Sequence, residues 1–112
     1  MATRARIGVL NPDGNITSIY SHWDGYPDGV GQTLAGNYSR QDLAKRLVAM
    51  GGVSALEGTI EESTFYHRDR DEDLEIAESF NRMAFLQLAE GCGAEWAYLW
   101  EDEGWRTYRI GK

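Results

Sequence analysis

The chain has 112 residues, a hydrophobic share of 42%, a charged share of 26% and a net charge of −7. A length of that order suits one domain that buries roughly 65% of its unfolded surface, and the composition is that of an ordinary globular chain, which argues against disorder outside the ends and the charged middle. The acidic balance argues against a protein that coats nucleic acid, because neutralising phosphates needs a basic face.

Cys92 is the only cysteine, which rules out an intrachain disulfide and a Cys-rich zinc site and fits a reducing compartment. Residues 1–6 lead into only a short apolar run, and no stretch approaches the length of a membrane span. The expectation is a soluble, cytoplasmic protein with no membrane and no extended nucleic-acid partner.

Residues 4–10 and 15–22 read as a β-hairpin. Asn11-Pro12-Asp13-Gly14 supplies its turn, with Pro suited to the second position and Gly to a left-handed residue. Val30, Leu34 and Tyr38 recur at helical spacing and predict a short helix over 30–38. Ser39-Arg40-Gln41-Asp42 resembles a capping box ahead of a second helix that buries Leu43, Leu47 and Met50, and Gly51-Gly52 stops it. Residues 53–58 read as a turn, and 59–66 as β-favouring.

Residues 67–73 form a run of charge without an apolar residue. The alternation of Leu74, Ile76, Glu78 and Phe80 predicts a strand. Asn81 is a suitable N-cap for a helix over 82–90 that buries Met83, Leu86, Phe85 and Ala89, and Gly91-Cys92-Gly93 ends it. A second hairpin follows, 94–101 and 105–110, turning at Asp102-Glu103-Gly104. Trp96, Tyr98 and Trp100 share one parity, and Ala97 and Leu99 the other, so this hairpin is apolar on two sides. The predicted class is α+β: an antiparallel sheet built from the N- and C-terminal hairpins, with about three helices on one face.

Candidate chemistry concentrates in two segments. Residues 21–31 hold His22, Asp24, Asp28, Trp23 and Tyr26 among Gly25, Gly29, Gly31 and Pro27. Glycine and proline shape such a loop while the other side chains bind or react. Trp23 and Tyr26 suit a stacking platform. The glycines match neither a Rossmann loop nor a P-loop; what remains is a set of backbone N–H groups for an anion, with Asp28 competing for them.

The second segment is His67-Arg68-Asp69-Arg70-Asp71. In an extended chain, residues i and i+2 share a side. Arg68 and Arg70 would then clamp an anionic group. His22 with Asp24 and His67 with Asp69 would form imidazole–carboxylate pairs able to hold a divalent metal or to do acid–base work. Each feature also has a plain structural reading, with His22 ending a strand, the charges solvated and the aromatics plugging the sheet edge. Cys92 reads as structural.

Residues 19–34, Ile-Tyr-Ser-His-Trp-Asp-Gly-Tyr-Pro-Asp-Gly-Val-Gly-Gln-Thr-Leu, resemble a motif of a family of small uncharacterised proteins of tailed bacteriophages and prophages. Residues 66–71 resemble that family's second motif, Tyr-x-Arg-Asp-Arg-Gly-Glu, with Asp71 standing where Gly is usual. Residues 94–100 resemble its closing aromatic hairpin. The resemblance implies a viral accessory role in the host cytoplasm and brings no activity with it.

The leading expectation is therefore a non-catalytic phage accessory protein, serving host takeover or counter-defence. It would use Trp23, Asp24, Tyr26, Arg68 and Arg70 to bind a small anionic, nucleotide-like ligand or a host protein, without a cofactor. One alternative is a metal-dependent hydrolase with His22, Asp24, His67 and Asp69 as ligands to a divalent ion. Another is an interaction module that exposes Trp96, Trp100 and Trp105, and a homo-oligomer is compatible with either binding role.

Overall fold

A computed structural model describes residues 2–110. The N-terminal hairpin forms as expected from β1 (Ala5–Leu10) and β2 (Ile16–Ser21). Gly14 takes φ +89° in its turn. A π-helical turn (Pro27–Gly31) runs into α1 (Gln32–Asn37), followed by α2 (Gln41–Ala49). Then come β3 (Val53–Ala55), β4 (Thr64–Phe65), α3 (Tyr66–Arg70) and β5 (Ala77–Ser79). The chain closes with α4 (Arg82–Gly91), β6 (Trp96–Glu101) and β7 (Gly104–Arg109).

The α+β class holds. The strands form one open sheet in the order β4-β3-β2-β1-β6-β7, with β5 also paired to β2. Most pairs are antiparallel, but β1 pairs β6 in parallel, and β2 meets β3 in parallel at Ser21 and Val53. The parallel pairs arise because helices separate the strands concerned, so each chain return crosses the sheet.

The helices divide between the two faces instead of sharing one. Ala5, Ile7, Val9, Ile19, Tyr98 and Trp100 pack with Val30, Leu34, Ala44 and Leu47 of the α1–α2 layer. The opposite parity, including Ile16, Ala97 and Leu99, packs with Phe85 and Ala89 of α4. A central strand with apolar residues on both parities needs cover on both sides. Gly8 permits the α4 contact: a Cβ there would lie 2.9 Å from Phe85 Cε1.

Several local expectations are corrected. Ser39 does not cap α2; its hydroxyl donates to Ala35 O at 2.6 Å, and Asp42 instead holds the Arg40 guanidinium at 2.8 Å. Residues 53–55 are a strand, and the segment 59–66 contributes only two strand residues. Met83 is 68% exposed, not buried. It lies about 200° around the helix from Phe85, away from the stripe that faces the sheet. Asn81 does cap α4, its Oδ1 accepting the Ala84 N–H at 2.8 Å.

Arg6, on the α4 side of β1, is 2% exposed. Its Nε donates to Ser18 Oγ at 2.9 Å, one terminal nitrogen to Ser18 O at 3.0 Å, and the other meets Glu75 Oε2 at 2.8 Å. The second Glu75 oxygen accepts the Tyr20 N–H at 2.8 Å. That donor would otherwise lack a partner, because β5 pairs only Ile16 to Ser18 along this edge of β2 and β3 joins only at Ser21. One carboxylate thus neutralises a buried cation and fills a gap in the ladder.

Removing it strands both groups. Glu75→Ala should destabilise the fold by about 2 kcal/mol in urea unfolding, since a buried cation loses its counter-charge and an edge N–H its acceptor. Glu75→Gln, which keeps an acceptor oxygen, should recover part of that loss.

Candidate functional site

The loop that leaves β2 is pinned along its length. His22 and Trp23 donate their backbone N–H groups to Val53 O and Ser54 O at 3.0 and 3.1 Å, which ties the loop to β3. Asp24 takes φ +58°. Its carbonyl accepts the Val30 N–H at 2.8 Å, closing the loop on itself. Gly25 donates to Thr3 O at 2.8 Å, and a Cβ there would lie 2.7 Å from that same oxygen. The Tyr98 hydroxyl, buried under the loop, donates to Gly25 O at 2.7 Å, and burial pushes its pKa well up.

This frame presents two aromatics to solvent. Trp23 is 44% exposed and Tyr26 41% exposed. Tyr26 donates its hydroxyl to Asp24 Oδ1 at 3.0 Å, and that bond raises the tyrosine pKa. His22 meets the Trp23 ring edge to face, with centroids 4.7 Å apart, and its Nδ1 lies 2.7 Å from the Tyr20 hydroxyl. The backbone N–H groups expected to hold an anion are spent: Gly29 and Gly31 donate to Tyr26 O, and Val30 to Asp24 O.

The second segment is a short helix, α3, not an extended strand. Arg68 and Arg70 therefore point about 200° apart and make no common clamp. Arg68 is a structural staple. It donates to Ile60 O at 3.1 Å, to Ser63 O at 2.7 Å and to both carboxylate oxygens of Asp69, while its guanidinium lies 5.1 Å from the centre of the Phe65 ring. Arg70 sits over the Tyr66 ring at 5.3 Å. The cleft beside α3, about 540 Å³, is lined by Tyr66, Asp71, Glu72, Asp73 and Glu75. Four carboxylates on its wall suit no anion.

The structure thus groups Trp23, Asp24 and Tyr26 on one loop, while Arg68 and Arg70 make their contacts within residues 60–69. Among the described residues no hydrogen bond or ion pair joins residues 21–31 to residues 67–71. His22, Asp24, His67 and Asp69 are each engaged locally: Tyr20 holds His22, Tyr26 holds Asp24, Glu72 O meets His67 Nδ1 at 2.8 Å, and Arg68 holds Asp69. No group of three His, Cys, Asp or Glu residues is arranged to hold a metal ion among the described residues. The aromatic C-terminal hairpin faces inward: Trp100 is 3% exposed, and Trp96 and Trp105 pack against the α1–α2 core.

Sequence reasoning missed the Arg6–Glu75 pair. Little in the sequence signals it, since Ala5 and Ile7 point to the other face of the strand and the burial of Arg6 follows from the cover on its own face. Also missed was an apolar groove of about 490 Å³ between α4 and the end of β7. No helix among the described residues is long and apolar enough to cross a membrane. No protein-family model, curated protein or solved structure matches this chain.

The staple at α3 titrates. Arg68, hydrogen-bonded to Asp69, and the Phe65 N–H hold the Asp69 carboxyl below the usual carboxylate range. A depressed folded pKa contributes stability that is present above the unfolded value and lost as pH falls through the folded one. The Phe65 amide shift should therefore titrate with a midpoint below that of an ordinary aspartate, and Asp69→Asn should abolish the transition in an NMR pH series.

Proposed function

We propose that this protein is a non-catalytic recognition module that engages a protein partner through Trp23 and Tyr26, in the role of a phage accessory protein acting on a host protein. The observation that carries this reading is the pairing of two exposed aromatics with a backbone held by six main-chain hydrogen bonds, from His22, Trp23, Gly25, Gly29, Val30 and Gly31. Tyr and Trp anchors dominate the energy of protein interfaces. A loop that is already ordered gives up little freedom on binding.

Charge selects between the two partner classes considered from the sequence. Asp24 and Asp28 lie among the aromatics, while of the arginines expected to neutralise an anion Arg68 is taken up by Asp69 and the Ile60 and Ser63 carbonyls, and Arg70 sits over Tyr66. A small anionic ligand loses its cationic clamp. A protein surface with an apolar pocket rimmed by lysine or arginine gains complementary charge at the rim, where such charge mainly sets association rate and specificity. Both histidines are engaged in local bonds, His22 with the Tyr20 hydroxyl and His67 with the Glu72 carbonyl, and among the described residues neither bonds a serine or cysteine.

The test is comparative capture from bacterial host lysate. A photo-crosslinking residue in place of Tyr26 should trap a discrete host protein, and the same label at the exposed Glu61 should not. Trp23→Ala should weaken the purified interaction by about 2 kcal/mol, roughly thirtyfold in Kd, with thermal stability unchanged. Equal retention of the same proteins by wild type and by the Trp23→Ala/Tyr26→Ala variant would overturn the reading.

A further inference from the structure

Away from the aromatic loop, β7 ends the sheet with its outer side open. The other end of the sheet is β4, only two residues long, whereas β7 has six. The β6–β7 ladder runs without a register shift from Glu101↔Gly104 to Trp96↔Arg109. Ile110 donates its N–H inward to Glu95 O at 2.9 Å. By the alternation of an antiparallel ladder, Arg106 and Tyr108 also aim their backbone groups inward, and Trp105, Thr107 and Arg109 aim theirs outward. β7 carries no proline and no bulge, two of the devices that protect an edge.

The apolar groove adjoins this edge on the α4 face. Met83, Leu86 and Ile110 form its floor, with Arg82 at one end and Glu90 at the other. Met83 is 68% exposed. Large apolar side chains left in water beside an open strand mark a contact surface.

We infer that the occupant of this edge is a second copy of the chain, paired antiparallel through β7 about a two-fold axis at Thr107. Three observations select a second copy. Pairing Thr107 with its symmetry mate sets Trp105 opposite Arg109 of the other copy, so all the outward backbone groups of the strand find partners at once. The charge of the strand is polarised, with Asp102 and Glu103 at the turn and Arg106 and Arg109 further along. The two-fold makes Glu103 of each copy a diagonal neighbour of Arg109 in the other, close enough for long side chains to meet. It also lays the two grooves side by side over a continuous sheet, the Arg82 end of one facing the Glu90 end of the other. An isologous contact of this kind closes at two copies and does not propagate.

Sedimentation of the full chain tests this. A dimer of twice 12.6 kDa should dominate at high micromolar concentration and dissociate on dilution. Thr107→Pro removes an outward N–H and leaves the ladder to β6 intact, so it should give a monomer with unchanged circular dichroism. Should that variant fail to fold, charge reversal supplies a second route. Glu103→Arg should weaken the dimer by about tenfold, from two cross-strand pairs lost per dimer, and the Glu103→Arg/Arg109→Glu double variant should restore it. A chain that stays monomeric up to millimolar concentration overturns the inference, whether or not an apolar small molecule is found in the groove. So does a dimer indifferent to both variants.

Discussion

The guanidinium of Arg6 lies in the interior of the sheet, and almost every other placement on that face answers to it. A cation with 2% exposure is tolerable only with a counter-charge and with its donors satisfied. Ser18 supplies two acceptors from the neighbouring strand, and Glu75 supplies the charge from 69 residues further along the chain. The carboxylate that meets Arg6 also meets the Tyr20 N–H. These two bonds fix where the acidic segment after α3 returns to the sheet. They set the point from which β5 can run antiparallel along Ile16 to Ser18, and from there α4 starts its crossing.

The second constraint is the two-sided character of the central strands. β6 sends Tyr98 and Trp100 to one core, and Ala97 and Leu99 to the other. The sizes are matched to the layers. The large aromatics face the α1–α2 layer together with the π-helical turn, and the small residues, with Gly8, let α4 come close. Tyr98 links this packing to the candidate site. It is buried, yet its hydroxyl reaches Gly25 O and so fixes the loop that carries Trp23 and Tyr26. Core packing and the presentation of the exposed aromatics are therefore one arrangement.

The legible parts of the sequence were those decided locally. The Pro12-Asp13-Gly14 turn, the alternation in residues 94–101 and the Asn81 cap rest on residue chemistry within a few positions, and each formed. What was illegible depended on distant partners. Residues 67–71 carry no apolar pattern, and the helical turn is held by polar contacts, of Arg68 with Ile60 O and Ser63 O and of Asp69 with the Phe65 N–H. The exposure of Met83 depended on which stripe of α4 met the sheet, and Phe85 with its place opposite Gly8 decided that. Neither polar motif keeps the form expected of it, since Tyr66–Arg70 is helical and Pro27–Gly31 is a π-helical turn. Whether they meet is a property of the strand order, which no local pattern encodes.

The backbone itself marks the surfaces of interest. Asp24, Asp71, Asp102 and Glu103 are the non-glycine residues with positive φ among those described, and all four are acidic. Such conformations cost of order 1–3 kcal/mol each and persist where the surroundings over-determine them. At Asp24 the surroundings are visible: the Val30 N–H holds its carbonyl, and Tyr26 holds its carboxylate. At Asp71 the backbone takes φ +54°, a geometry that glycine adopts without a Cβ penalty. Asp102 and Glu103 form the two-residue turn of the last hairpin, where asparagine and glycine would be easier. An aspartate kept at a strained corner, at some cost to the fold, contributes a carboxylate that glycine cannot. At residue 24 that carboxylate orients Tyr26, which ties the strain to the presentation of the exposed ring.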